Sequence, residues 1–144
     1  MNKYKELKDK HQKEFNQFPM KFAFSDEQFE RGMAELGLKP DQTDMVYGFA
    51  GTGGFYRRSD APALHEMLER HARERQEALA ADPTGDGYIY DMFLYELRNH
   101  EYGYTGDAED TLDALDITWE QLEADARLKH GFQKAKKTIW EEGD

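Results

Sequence analysis

The chain has 144 residues, a formal net charge of −11 and no cysteine. The lack of cysteine excludes disulfide scaffolds, thiolate zinc sites, iron–sulfur clusters and cysteine nucleophiles, while the negative charge opposes binding to free nucleic acid and to anionic membranes. Because 38% of the residues are hydrophobic and 13% are aromatic, the chain can still build a core. We expect one globular domain over residues 1–144.

The N-terminal region predicts neither secretion nor membrane insertion. Residues 1–13 are charged throughout and lack the apolar segment of a secretion signal. No apolar run approaches the ~20 residues that a membrane-spanning helix requires. We therefore expect a cytoplasmic protein with no membrane partner.

The first forty residues predict two helices. Apolar side chains at spacings of three or four place one helix over residues 2–17, which Pro19 ends. After a short extended link, Ser25 and Gln28 form a capping box for a second helix, and Gly37 closes it.

The middle of the chain predicts a β-hairpin followed by a long helix. Residues 45–49 and 55–58 are rich in aromatic and β-branched side chains, and they flank a glycine-rich turn at residues 51–54. Pro62 suits the first turn of the next helix, which ends before Asp82.

The last part of the chain predicts further helices. One covers residues 89–97, and the aromatic residues 102–104 suggest an extra strand. Asp107 caps a short helix, and Thr118 forms a capping box with Gln121 before a final helix. The elements together predict a mainly helical α+β fold, with five or six helices around a small β-hairpin or a three-stranded antiparallel sheet.

Two motifs resemble metal-binding sites, but each lacks a feature that metal binding requires. Asp82 opens a segment that resembles a calcium-binding EF-hand loop, but loop position 12, where a bidentate carboxylate is needed, is Phe93. His65 and His71 stand six residues apart on a predicted helix, which rotates them by about 120° relative to each other, whereas a zinc helix needs a spacing of four. We therefore expect the segment that Asp82 opens to be a turn, and the two histidines to be solvated or at the edge of the core. We expect no cofactor.

A small-molecule site is one hypothesis that the polar motifs leave open. Arg57 and Arg58 follow the glycine-rich turn and could bind an anion. The densest set of proton-transfer groups stands at a predicted helix end and consists of Asn99, His100, Glu101 and Tyr102, although such residues also satisfy helix-end carbonyls. A nucleotide or other small molecule would then bind between the 49–58 hairpin and the 99–104 segment.

The distribution of charge indicates a second hypothesis. Residues 82–125 contain thirteen carboxylates and a single arginine, so the acidic excess of the chain lies there. Scattered carboxylates usually form a solvated face, but this one-sidedness favours a surface that engages a basic partner. The expected contributors are Asp107, Glu109, Asp110, Asp113, Glu120 and Glu123.

Several short motifs resemble those of a family of small uncharacterised proteins from bacterial phages and conjugative elements. They are Phe18-Pro19-Met20, Phe22-Ala23-Phe24-Ser25, Gln28-Phe29, Leu36-Gly37, the glycine-rich hairpin and Asn99-His100-Glu101-Tyr102. The similarity runs nearly end to end. It implies a mobile-element context and a cytoplasmic location, and it implies no activity or catalytic residues.

The leading hypothesis is a non-enzymatic acidic binding protein of a mobile element. Its carboxylates would take the positions of DNA phosphates in the basic groove of a restriction or CRISPR-type nuclease, so that affinity falls as salt rises. The alternatives are the small-molecule or nucleotide-binding protein, an enzyme included, and an assembly subunit that dimerises through exposed aromatic residues. The oligomeric state is left open.

Overall fold

The computed structural model describes residues 1–143 and confirms the mainly helical α+β fold with a three-stranded antiparallel sheet. The strands are β1 (Lys21–Phe22), β2 (Val46–Phe49) and β3 (Gly54–Arg57). The helices are α1 (Lys3–Asn16), α2 (Asp26–Glu35), α3 (Ala61–Ala80), α4 (Tyr88–Asn99), α5 (Tyr102–Thr105), α6 (Glu109–Ala114), α7 (Trp119–Ala124) and α8 (Ala126–Glu142). The described residues thus form eight α-helices, more than the five or six predicted, because the region after α4 divides into short helices.

Contacts divide the chain into two compact units. One comprises residues 11–73, and the other comprises residues 1–10 with the chain from residue 74 onward. Each unit has its own buried apolar cluster. The single domain over residues 1–144 stays a prediction.

The unit of residues 11–73 is built on the sheet, whose strand order is β1-β3-β2. The predicted hairpin is confirmed, with Tyr47 opposite Tyr56 in the antiparallel β2 and β3. The third strand is β1, which lies within the predicted extended link and pairs with β3. Successive side chains of a strand point to opposite faces, so Phe55 packs with Met33 of α2 while Tyr56 packs with Leu64 of α3.

The other unit has α4 and α8 at its centre. Phe93 of α4 is fully buried, and its ring lies 5.2 Å from that of Phe132 of α8, measured between centroids. Leu112 of α6 and Leu122 of α7 join the same core cluster. The predicted capping box is confirmed at α7, because Thr118 Oγ1 accepts a hydrogen bond from the backbone N–H of Gln121.

Two predictions for this unit are wrong. Residues 102–104 belong to the helix α5 rather than to a strand, since Tyr102 joins the core of α4 and α8 and the Gly106 N–H donates to the Tyr102 carbonyl. The predicted final helix is two helices, because Asp125 breaks the chain direction and its carboxylate caps α8 by accepting from the N–H groups of Arg127 and Leu128.

Among residues 1–143, no helix combines the length and the apolar character needed to cross a bilayer.

Candidate functional site

The six predicted carboxylates of residues 107–123 all face solvent. The leucines of α6 and α7 are turned inward, with Leu112 2% and Leu122 1% exposed, and the carboxylates lie at exposed positions of these helices or just before α6. We call this set the acidic surface, and it consists of Asp107, Glu109, Asp110, Asp113, Glu120 and Glu123, every one of them exposed.

Most of the acidic surface has no neutralising partner. Glu123 pairs with Lys129 of α8, with Nζ and Oε2 2.9 Å apart. Asp107 accepts a hydrogen bond of 2.9 Å from the backbone N–H of Glu109, which starts α6 as predicted, although the cap position itself is Ala108. Within residues 1–143 the other four form no salt bridge, and no lysine or arginine lies between Arg98 and Arg127.

The carboxylates of residues 82–96, together with Asp125, are used differently. Asp86 accepts from His130 Nε2 at 2.7 Å and from Lys134 Nζ at 3.1 Å, and the first of these bonds does most to lower its pKa. Asp91 accepts from the Lys3 backbone N–H at 2.8 Å. These carboxylates already have partners within the protein. The part of the predicted acidic region that is left to engage another molecule is therefore residues 101–123.

The segment that resembles a calcium loop is a turn closed by Asp82. This carboxylate is 5% exposed and accepts from the backbone N–H groups of Thr84, Gly85, Gly87 and Ile89 at 2.9–3.3 Å. Burial raises the pKa of Asp82, but the four hydrogen bonds outweigh it and lower the pKa below its ordinary value. The oxygen atoms that a calcium ion would need are occupied by the chain itself.

A buried carboxylate that the sequence predictions missed lies next to the predicted Asn99–Tyr102 group. The Glu96 side chain is 4% exposed, with Lys8 Nζ at 3.3 Å. His100 Nε2 lies 4.0 Å from its other oxygen and has no hydrogen-bond partner in residues 1–143. The sequence could have predicted the burial of Glu96, because helical spacing places it on the apolar face of α4, beside Met92 and Phe93.

The remaining members of that group differ in exposure. Asn99 and Glu101 face solvent, whereas Tyr102 is 8% exposed and joins the core. His100 forms the C-cap of α4 through its backbone N–H. The four residues are therefore adjacent in the chain without sharing one surface.

The arginines of the alternative site are not equivalent. Arg58 donates to the Asp44 carbonyl at 3.0 Å and to the Tyr47 hydroxyl at 3.1 Å, and its guanidinium lies 4.6 Å from the centre of the Tyr47 ring. Arg57 is exposed, and its side chain forms no hydrogen bond or salt bridge with the part of the chain that the structure describes. The hairpin belongs to the unit of residues 11–73 and residues 99–104 to the other, and a ligand site formed from both stays a prediction.

The two histidines of α3 have separate surroundings. His65 is exposed, whereas His71 is buried and stacks on His11 with ring centroids 3.9 Å apart. His71 Nε2 lies 3.2 Å from Glu14, whose pKa falls to about 2, chiefly through its hydrogen bonds with Arg70 and then His71. In the described part of the chain, no three histidine, aspartate or glutamate side chains are grouped so that they could hold a metal.

One comparison with known proteins gives a match. The model of a family of unknown function (DUF7659) matches residues 3–138. No curated protein and no solved structure matches the chain.

Proposed function

The chain belongs to the DUF7659 family, and we propose that it is a non-enzymatic binding protein whose acidic surface occupies the basic, nucleic-acid-binding surface of a protein partner. The observation that carries the proposal is the set of exposed carboxylates between Arg98 and Arg127, most of which form no salt bridge with any of residues 1–143. In the mobile-element context that the motif resemblance implies, the partner is a restriction or CRISPR-type nuclease.

The charge pattern supports this kind of partner. Glu109, Asp110 and Asp113 lie within two turns of α6, and Glu120 opens α7. Carboxylates held on short, core-anchored helices present a fixed array of negative charge, as a phosphate backbone does. A complementary basic groove would be attracted over roughly 10 Å at 0.1 M salt.

Exposed aromatic rings within the same segment support a protein partner. Tyr104 is 94% exposed and Trp119 is 48% exposed. Trp119 stands next to Glu120 at the start of α7, and its ring is held edge-on to Phe132 at 6.0 Å between centroids. Tryptophan and tyrosine are the residues that most often anchor protein interfaces, so these two rings would add contact area within the charged field.

The backbone gives a further indication. Among residues 1–143, the only non-glycine residues in the left-handed conformation are Glu101 and Asp116, with φ of 58° and 54°. Both are exposed carboxylates that flank α5 and α6. Each follows the C-cap of a helix, α4 or α6, where a left-handed residue commonly ends the helix. Helix termination therefore explains both conformations, and the two exposed carboxylates add to the negative charge of the segment.

The test is affinity capture from a bacterial lysate freed of nucleic acid. The immobilised protein should retain a basic nucleic-acid-binding protein at low salt and release it at high salt, and double-stranded DNA should displace it because DNA and the acidic surface compete for one groove. Retention that resists both high salt and DNA, or no retention of any nucleic-acid-binding protein, would contradict the proposal.

A further inference from the structure

An open groove of about 780 Å³ lies within the unit formed by residues 1–10 and 74 onward. Its walls are the first turns of α1, the last turns of α3 and the loop between α3 and α4. Pockets for small molecules commonly measure roughly 300–1,000 Å³, so the groove is large enough for a metabolite.

One residue that lines the groove is the buried Tyr88. Tyr88 is 7% exposed, and its ring packs 5.8 Å from that of Tyr4. Its hydroxyl has no hydrogen-bond partner among residues 1–143, yet it is not sealed from solvent, and Tyr88 lines the groove. Buried tyrosines usually satisfy their hydroxyl groups, so this oxygen is available to a polar atom of a ligand.

The charged lining is mostly acidic. Glu74, Glu77 and Asp86 line the groove with Lys3 as the one cation among the described residues there. Glu74 is 3.5 Å from Lys10 Nζ, and Asp86 has the partners described above. Glu77 is exposed and, within residues 1–143, forms no salt bridge, so it is free to bind a cation.

We propose that this groove binds a small alkylammonium ligand of the diamine and polyamine class. Its methylene chain would lie on Leu7, Ala78 and Pro83, which line the groove with apolar atoms. One ammonium group would pair with Glu77, and another would donate to the Tyr88 hydroxyl and lie against the aromatic ring. The site shares no residue with the acidic surface, so it is a second function that does not depend on the first.

Calorimetric titration with spermidine and putrescine tests the proposal. Glu77→Gln and Tyr88→Phe should each weaken binding about tenfold, since each removes one hydrogen bond to a charged group. Glu109→Gln, which removes an equal charge from the acidic surface, is the matched control and should change the dissociation constant less than about twofold. Circular dichroism and the melting temperature establish that each variant is folded. If Tyr88→Phe is unstable, Glu77→Gln still tests the proposal, because Glu77 is exposed and its replacement should not disturb the fold.

Three results would overturn the proposal. No saturable binding of either amine would do so. So would an equal loss of binding in Glu77→Gln and Glu109→Gln, because polyamines would then be attracted by overall negative charge. Binding of N-acetyl-lysine amide as tight as that of putrescine would assign the groove to a lysine side chain of a protein partner instead of a free amine.

Discussion

Asp82 and Asp113 belong to the same acidic stretch of the chain, yet their side chains meet opposite surroundings. Asp82 is buried and accepts hydrogen bonds from four backbone N–H groups, whereas the Asp113 side chain faces solvent and has no partner among residues 1–143. Within residues 1–143, every carboxylate of residues 82–96 has a partner, whereas in residues 101–123 only Asp107 and Glu123 have one. A count of charges along the sequence cannot distinguish carboxylates that stabilise the fold from carboxylates that are available to another molecule. The contacts of each side chain make this distinction.

The largest effect should follow from removing the Asp82 carboxylate. Asp82→Ala leaves the N–H groups of Gly85, Gly87 and Ile89 without their acceptor at the start of α4, and we expect a loss of about 3 kcal/mol or more in the free energy of unfolding. Denaturant titration measures it. Asp113→Ala is the control, and comparable losses in the two variants would erase the distinction between the two regions.

A smaller effect should separate an ion pair with a buried carboxylate from one whose two side chains are both exposed. Lys8→Met leaves the buried Glu96 without its cation, which should cost about 2 kcal/mol. Lys129→Met removes the partner of the exposed Glu123 and should cost less than about 0.5 kcal/mol. Thermal or denaturant unfolding of both variants gives the comparison, and a Lys129 loss equal to that of Lys8 would contradict it.

The response to acid should also differ between the two regions. The pKa of Asp82 in the folded protein lies below its ordinary value of 3.8, so the unfolded chain binds more protons between these two values. The stability contributed by Asp82 is therefore complete above about pH 5 and is lost as the pH falls through the folded-state pKa. Asp82→Asn should flatten the fall in unfolding free energy as the pH drops below about 5, and an unchanged slope would contradict this assignment.

The smallest effect should come from the acidic surface. Asp110→Asn combined with Asp113→Asn removes two exposed charges that repel their neighbours, so the free energy of unfolding should change by less than about 0.5 kcal/mol or rise slightly. Denaturant titration at low salt, where repulsion is strongest, gives the clearest reading. A marked loss of stability would show that these carboxylates serve the fold.

Local rules were sufficient where the interaction was local. The capping box of Thr118 with Gln121 joins residues three apart, and the glycine-rich turn joins adjacent strands, so both could be read from the sequence. At α2 the predicted box is only half formed, since Ser25 accepts from the Gln28 N–H while the Gln28 side chain accepts from the Phe24 N–H. The sequence pattern does not determine which of two adjacent backbone N–H groups a side chain accepts from.

Sequence-based prediction failed where contacts with residues distant in the chain determine the conformation of a segment or the partner of a side chain. The aromatic residues 102–104 favour a strand by propensity, but packing of Tyr102 with the core between α4 and α8 holds them in a helix. Glu96 meets Lys8 from 88 positions away. The exposure of the carboxylates on α6 and α7 could be predicted, because each helix has a leucine that is expected to face the core. The internal contacts of Asp86 and Asp91 depend instead on the distant helices α8 and α1.

The most direct test of the proposed function compares captured proteins from one lysate, quantified by mass spectrometry, on three baits of the full chain. One bait is wild type. The surface variant carries Glu109→Gln, Asp110→Asn, Asp113→Asn and Glu120→Gln. The matched control removes the same charge from exposed carboxylates elsewhere that form no salt bridge within residues 1–143, through Glu30→Gln, Asp41→Asn, Asp44→Asn and Glu69→Gln.

The location of the carboxylates, not the total charge, should decide the outcome. We expect the surface variant to lose the nucleic-acid-binding partner by about tenfold or more and the control to retain it within about twofold. Equal loss in the two variants, or full retention by the surface variant, would contradict the proposal that the acidic surface is the binding site.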